Sequence, residues 1–216
     1  MVICLDRSAI ILAEISQGKF IEDRGLLKLD SKPLLTHVVD KVKGMVGEVL
    51  VVTGSKEQSD LYAKVVSSAN VRFAVGVGES DGSLAGALSG FEVAQGEYSL
   101  LLPFDAPFVS REVVSLLFDC CIGKSAVVPR WPDHQIEPFQ AVYHTRKALE
   151  ASKEALASGE LEVEAMVCKM RGVRFLSTLV IEQLDPDFRT FFKVRSPLDL
   201  KKAREVAKRR ETKTRK

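Results

Sequence analysis

Asp105 is the residue best placed for chemistry in this chain. The run Ser99-Leu100-Leu101-Leu102 reads as a buried strand, and it opens into Pro103-Phe104-Asp105-Ala106-Pro107-Phe108-Val109-Ser110. The carboxylate therefore stands just past a strand's carboxyl end, where α/β sheets hold their ligands, and Ser110 is placed to cap the next helix. A lone carboxylate there suits Mg²⁺ held against phosphate oxygens. It equally suits a turn in which the aspartate bonds its own backbone. An earlier loop, Glu14 to Gly25, carries the cations Lys19 and Arg24 but only two glycines, Gly18 and Gly25. A phosphate cradle needs glycines for close backbone approach and a cation for charge. This loop fits neither G-x-x-x-x-G-K-[ST] nor G-x-G-x-x-G, so on its residues alone a plain surface loop is the simpler account. In a third stretch, Gly76 to Gly90, glycines cluster ahead of a helical pattern, and Gly86 and Gly90 fall inside it. Interior glycines cost a helix up to about 1 kcal/mol each. Either a flat ligand or another backbone comes close there, or the helix packs tightly on a sheet.

These loops are set out by an alternation of strand-length apolar runs and stretches of helical period. The strand candidates are residues 8–13, 48–53, 71–74, 99–102, 126–129, 139–143 and 173–176. The helical candidates are residues 33–46, 58–68, 84–95, 111–121, 146–158 and 162–170, with a final helix over 197–210. Leu34, Leu35, Val38, Val39 and Val42 put an apolar stripe on the first helix, and Pro33 suits its first turn. Strands that are apolar throughout and joined by helices require a mostly parallel sheet covered on both faces. The pattern predicts one α/β domain over residues 1–210, and a frayed basic tail over 211–216.

Composition narrows the class. Of 216 residues, 46% are hydrophobic and 28% charged, which excludes a disordered or collagenous chain. No apolar run approaches the roughly 20 residues of a membrane-spanning helix, and no secretory signal is read at the N-terminus, so a cytoplasmic location is expected. The four cysteines show no C-x-x-C and read as buried thiols in a reducing compartment; His37, His134 and His144 lack metal-ligand spacing. Residues 201–216 carry a local charge of +7, leaving −5 on the other 200 residues. With no aromatic residue in that tail to stack on bases, the pattern argues for a solvated helix face and against nucleic acid.

Across nearly the whole chain the sequence resembles a family. In order come Ala9-Ile-Ile-Leu-Ala13, Lys28-Leu-Asp-Ser-Lys-Pro-Leu-Leu35, Gly82-Ser-Leu-Ala-Gly86, Leu101-Leu-Pro-Phe-Asp-Ala-Pro-Phe-Val-Ser110, Val127-Val-Pro-Arg130, Glu137-Pro138, Ala141-Val-Tyr143 and Phe191-Phe-Lys-Val-Arg-Ser-Pro-Leu-Asp-Leu200. This order is similar to that of the molybdenum cofactor guanylyltransferases, within the nucleotidyltransferase group with a Rossmann-like sheet. The resemblance implies transfer of GMP from GTP to molybdopterin with release of pyrophosphate, dependent on Mg²⁺. It implies that Asp105 holds the metal, that Lys19 and Arg24 neutralise the triphosphate, and that ligands are bound by Leu12, Ala13, Glu14, Arg24, Thr53, Gly82, Asp105, Lys193 and Arg195. It also leaves room for protein partners in molybdoenzyme maturation, and it implies no membrane.

The departures from the family pattern fall on functional positions. The family's first loop looks like L-A-G-G-x-S-x-R-x-G-x-x-K. Here its glycine positions hold Glu14, Ile15 and Ile21, its serine Gln17, its arginine Lys19 and its lysine Arg24. The family's N-x-N pair becomes Lys193 and Arg195, while Asp105 and Glu137-Pro138 are retained. On an extended segment residues 193 and 195 share one side, with Val194 turned toward the core. They are either solvated edge cations or, on the resemblance, cations facing the metal site. Three readings therefore stay open: an active guanylyltransferase, a non-catalytic relative that binds nucleotide or pterin as a partner, and a nucleotidyltransferase for another base or acceptor.

Overall fold

Burial alternates along the first strand: Ala9, Ile11 and Ala13 enter one hydrophobic core, Ile10 and Leu12 the other. A strand buried on both faces belongs at the centre of a covered sheet. A computed structural model, which describes residues 4–13, 23–66, 70–76 and 82–214, places it there. In chain order the elements are β1 (Cys4–Leu12), β2 (Lys28–Leu29), β3 (Lys32–Pro33), α1 (Leu34–Val42), β4 (Val46–Thr53), α2 (Lys56–Ala63), β5 (Val71–Val75), α3 (Ser83–Val93) and β6 (Tyr98–Pro103). They continue with α4 (Arg111–Cys121), β7 (Ala126–Arg130), β8 (Ala141–His144), α5 (Thr145–Ala157), α6 (Val163–Lys169), β9 (Val173–Ser177), α7 (Thr178–Glu182) and α8 (Pro197–Thr214). Seven strands form one sheet in the order β5-β4-β1-β6-β8-β7-β9. Residues of α1, α2 and α4 pack on one face, and residues of α3, α5 and α6 on the other.

The sheet is mostly parallel, as the sequence pattern requires. The exception is β8, antiparallel to both β6 and β7. Only residues 131–140 separate β7 from β8, too short a link for a helical crossover, so the chain must turn back. All seven expected strands are present, each within two residues of its expected start except the first, which begins at Cys4. Helix ends move further. The first helix stops at Val42 because Val46 already pairs with Cys4 in the sheet. The last helix runs on to Thr214, past the expected end at 210. The hairpin of β2 and β3 and the short α7 are additions to the expected set. Cys168 is exposed rather than buried: α6 turns Val163, Met166 and Val167 inward, and this phase leaves residue 168 outside. No helix among the described residues is long and apolar enough to cross a membrane.

At the edge of the sheet opposite the expected site, a buried acid ties three elements together. Glu48 accepts from the Ser8 hydroxyl at 2.6 Å, from the Gln95 backbone N–H and from Arg72. Burial works against its charge, but these donors together hold its carboxyl below the ordinary value of 4.5. A lowered folded-state pKa gives stability that is present above the unfolded pKa and is lost as pH falls through the folded one. Glu48→Gln should therefore cost about 1–3 kcal/mol at pH 7, read by urea unfolding. The gap between parent and variant should close below the usual carboxylate range; a gap independent of pH would show that the charge of Glu48 is not what the network uses.

Candidate functional site

The carboxyl ends of β1 and β6 lie side by side, with Leu12 paired to Pro103 and Phe104 N–H donating to the Leu12 carbonyl at 3.2 Å. Asp105 follows directly and is only 5% exposed. Ser110 caps α4 as expected, its hydroxyl accepting from Val113 N–H. The Asp105 side chain is drawn toward its own backbone N–H, as a turn aspartate is, but it also reaches a cation. Its Oδ2 faces Arg24 Nη1 at 3.4 Å, and its buried Oδ1 has no hydrogen-bond partner. Burial pushes the carboxyl above its ordinary value, against the pull of Arg24, Arg195 and Lys193. The acid thus sits in a field of three cations, with one buried oxygen that accepts no hydrogen bond.

Arg24 is held by a clamp that the sequence pattern does not advertise. Its guanidinium lies over the Phe104 ring, 5.2 Å from the centroid. The preceding residue, Asp23, accepts from the Tyr62 hydroxyl at 2.6 Å, from Gly25 N–H at 2.8 Å and from Gln58 Nε2 at 3.3 Å. Tyr62 is fully buried on α2, and burial beside Asp23 raises its hydroxyl far above the range in which it would ionise. Gly25 must be glycine, because a Cβ there would come within 2.4 Å of the Tyr62 oxygen. The loop is thereby pinned on both sides of Arg24.

A second arm reaches the site from the other direction. Val194 N–H donates to the Asp105 carbonyl at 2.9 Å, and Val194 is buried as the alternation requires. Lys193 turns to Glu137 at 3.0 Å, joining the N-x-N position to the Glu-Pro motif; Arg195 is exposed. Trp131, just past β7, donates its indole N–H to the other Glu137 oxygen at 3.2 Å.

The expected residues divide accordingly. Leu12, Ala13, Arg24, Asp105, Lys193 and Arg195 gather at the carboxyl edge of β1 and β6. Thr53 ends β4, but its hydroxyl is fully buried and engaged by Ser59 Oγ at 2.6 Å and the Ser55 carbonyl at 3.0 Å, so it is committed to the fold. Gly82 begins α3 against residue 161, where a Cβ would meet the Leu161 carbonyl oxygen at 2.4 Å; tight packing demands this glycine. Packing demands Gly90 too, whose Cβ would reach Ile10 Cγ2 at 2.4 Å. Glu14 and Lys19 lie outside the described residues. Asp23, Tyr62 and Trp131 were not anticipated. Position was the available signal for two of them: Asp23 precedes an expected site residue, and Trp131 stands at a strand's carboxyl end.

Solved structures share this mostly parallel sheet and its flanking helices. One named molybdopterin-guanine dinucleotide biosynthesis protein A, from Archaeoglobus fulgidus, superposes with a TM-score of 0.78 over 94% of this chain and 99% of its own, at 20% identity. A 4-diphosphocytidyl-2C-methyl-D-erythritol synthase from Anaerococcus prevotii gives 0.72 over 94% and 96%, at 15% identity. Residues 16–167 match the MobA-like NTP transferase domain. The chain is 31% identical to a probable molybdenum cofactor guanylyltransferase of Methanosarcina mazei, over 90% of this chain and 88% of that one. It is 30% identical to one of Methanothermobacter thermautotrophicus, over 83% and 89%. This chain belongs to the MobA-like NTP transferase family.

The clamp is testable apart from any reaction. Tyr62→Phe and Gly25→Ala should each cost about 1–3 kcal/mol, the one by stripping a donor from the half-buried Asp23 carboxylate and the other by forcing Tyr62 aside. Both break the same bond, so the double variant should cost clearly less than the sum. Strict additivity in urea unfolding would show that Tyr62 and Gly25 act independently.

Proposed function

We propose that this chain transfers the guanylyl group of GTP to the phosphate of molybdopterin. A phosphate oxygen of the acceptor forms a bond to the α-phosphorus of GTP, the bond from that phosphorus to the bridging oxygen of the β-phosphate breaks, and pyrophosphate leaves. Such a transfer depends on positioning and on neutralising charge more than on a protein nucleophile. Relatives of about 30% identity carry the guanylyltransferase name over most of the chain. The observation that carries the reading is the unclaimed Oδ1 of a buried Asp105, facing Arg24 across its other oxygen.

Each residue then has a task. Arg24, pinned by its clamp, presents a rigid donor fork to the triphosphate, and Lys19 adds charge from the same loop. Lys193 and Arg195 hold the acceptor phosphate on the opposite side of Asp105. Mg²⁺ fits the site through Asp105 Oδ1, taking its other ligands from phosphate oxygens and water, as this ion commonly does. Among the described residues no group of three potential ligands could bind it alone. When bound, the ion draws charge from the phosphate under attack.

One observation favours a second reading, a relative that binds nucleotide or pterin without turnover. Both acids of the site are already ion-paired, Asp105 with Arg24 and Glu137 with Lys193. Pyrophosphate release separates the readings. The parent should release it from GTP only with molybdopterin and Mg²⁺ present. Asp105→Asn should lower that rate roughly 100- to 1,000-fold. Because burial disfavours the Asp105 charge, the same variant should keep or raise the melting temperature. Full activity in the variant overturns the role of Asp105. GTP binding without release by the parent supports the second reading, and release from CTP in preference to GTP supports another base.

A further inference from the structure

The strongest separation of charge in the chain has no part in the transfer itself. Residues 201–216 carry +7, and the other 200 residues carry −5. A solvated helix face accounts for the exposure of these cations but not for their collection at one place. In the fold that place is α8, a helix of 18 residues. Its inward side is small: Leu200 and Ala203 join Leu29, Leu34 and Val194 in a third hydrophobic cluster. Lys201, Lys202, Arg204 and Lys208 are left exposed.

The position of α8 relative to the site is fixed from two sides. At its start, Val194 N–H donates to the Asp105 carbonyl at 2.9 Å, and Pro197 opens the helix three residues later. On its flank, Arg204 donates to the Lys28 carbonyl at 3.5 Å, and Lys28 follows Arg24 by four residues. Arg195 and Lys28, both exposed, extend the basic face toward the site. Lys32 in the same hairpin is neutralised by Asp40 at 2.7 Å. Among the described side chains of α8 and the hairpin, the acids are Asp30, Asp199 and Glu205. Asp199 is spent on the helix start, accepting from Arg195 N–H at 3.1 Å and from the Ser196 hydroxyl at 2.8 Å. Six cations against three acids leave an excess of three positive charges.

We infer that α8 is an electrostatic guide: its cations draw nucleoside triphosphate toward the carboxyl edge of the sheet before any contact with the site forms. Fields of this kind raise association rates by about 10- to 1,000-fold. They act on encounter, while the bound complex is held by the site's own groups. Lys201 lies about 6 Å along the axis from the start of α8, within the screening length of roughly 8 Å at physiological salt. Its charge therefore still acts at the end of the helix that adjoins Val194 and Asp105. The negative charge on the rest of the chain works against approach of the same anion elsewhere. The inference rests on the reading of the site as one that takes GTP, and it gives α8 no contact with the bound ligand.

Stopped-flow association of a GTP labelled on its ribose with a fluorescent N-methylanthraniloyl group tests this on the full chain. Between about 20 and about 500 mM KCl the parent's association rate should fall about tenfold or more, while dissociation changes less than about twofold. Lys201→Glu with Lys202→Glu should lower the association rate about fivefold or more at low salt and flatten its salt dependence. Dissociation, and turnover at saturating GTP, should stay as in the parent. If charge reversal disturbs the helix, Lys201→Gln with Lys202→Gln should show the same effect at about half the size on a logarithmic scale. Arg146→Glu with Lys147→Glu makes an equal change in net charge at the start of α5, beside the amino end of β6, and should keep most of the parent's rate. Equal losses in the two Glu variants would assign the effect to net charge and overturn the inference. A change confined to dissociation would make Lys201 and Lys202 ligand contacts and overturn it as well. Unchanged association in the α8 variants would overturn it and leave the GTP reading standing. Absence of GTP binding at every salt concentration would remove that reading and the inference together. Association guided by α8 without pyrophosphate release would uphold the inference while removing the transfer reading.

Discussion

A carboxylate sunk at the carboxyl end of β6 is the constraint around which this edge of the molecule is organised. Burying a charge is costly unless it is paired and hydrogen-bonded, and Asp105 is only half answered. Arg24 approaches one oxygen, Lys193 and Arg195 contribute through their fields, and the net effect still leaves the acid less willing to ionise than an ordinary aspartate. A fold selected for stability alone would place an asparagine or an apolar residue here. The chain gives up local stability at this one well-defined point.

Two rigid arms make that arrangement reproducible. On the β1 side, α2 holds Asp23 through Tyr62 and Gln58, so the backbone enters and leaves Arg24 along a fixed path. On the far side, Gln140 and Asp185 brace Thr190, and the chain from there delivers Lys193 and Val194 to Glu137 and to the Asp105 backbone. Neither arm uses a strand or an α-helix at the site itself; each carries a single 3-10 turn, Arg24–Leu26 and Arg189–Phe191. Each is otherwise a short irregular stretch whose polar groups are bonded to a helix, a turn or a strand end behind it, which keeps loop-borne side chains in register.

The scaffold was readable from the sequence because strands buried on both faces leave long apolar runs, and helices with one buried face leave a stripe. What escaped has physical causes. The β2–β3 hairpin turns through Asp30 and Ser31, both at positive φ without a glycine to signal it. The five residues of α7 are too few for a period to show. For Gly90 a ligand and tight packing were both open, and the close approach of Ile10 favours packing; Gly82, expected on the resemblance to touch a ligand, meets Leu161 instead, a three-dimensional reason with no local signature. Asp105 and Arg24 were singled out from a strand end and from motif order. Their mutual approach was not, because 80 residues separate them and only the pairing of β1 with β6 brings their loops together.

On the guanylyl-transfer reading proposed above, the balance of charge sets which ligand arrives first. Asp105 and Glu137 supply two negative charges, against three positive ones from Arg24, Lys193 and Arg195. A divalent cation arriving alone would meet repulsion from all three and find a single unclaimed carboxylate oxygen. A phosphate arriving first reverses this: it engages the cations, relieves their pull on Asp105 and brings oxygens of its own to complete a metal's ligand set. Lys193 and Arg195, rather than neutral side chains, stand beside Asp105, and on that reading their charge acts on the order of binding as much as on affinity. On that reading the metal follows the phosphate, and the acceptor phosphate meets its attraction on the side of Asp105 away from Arg24.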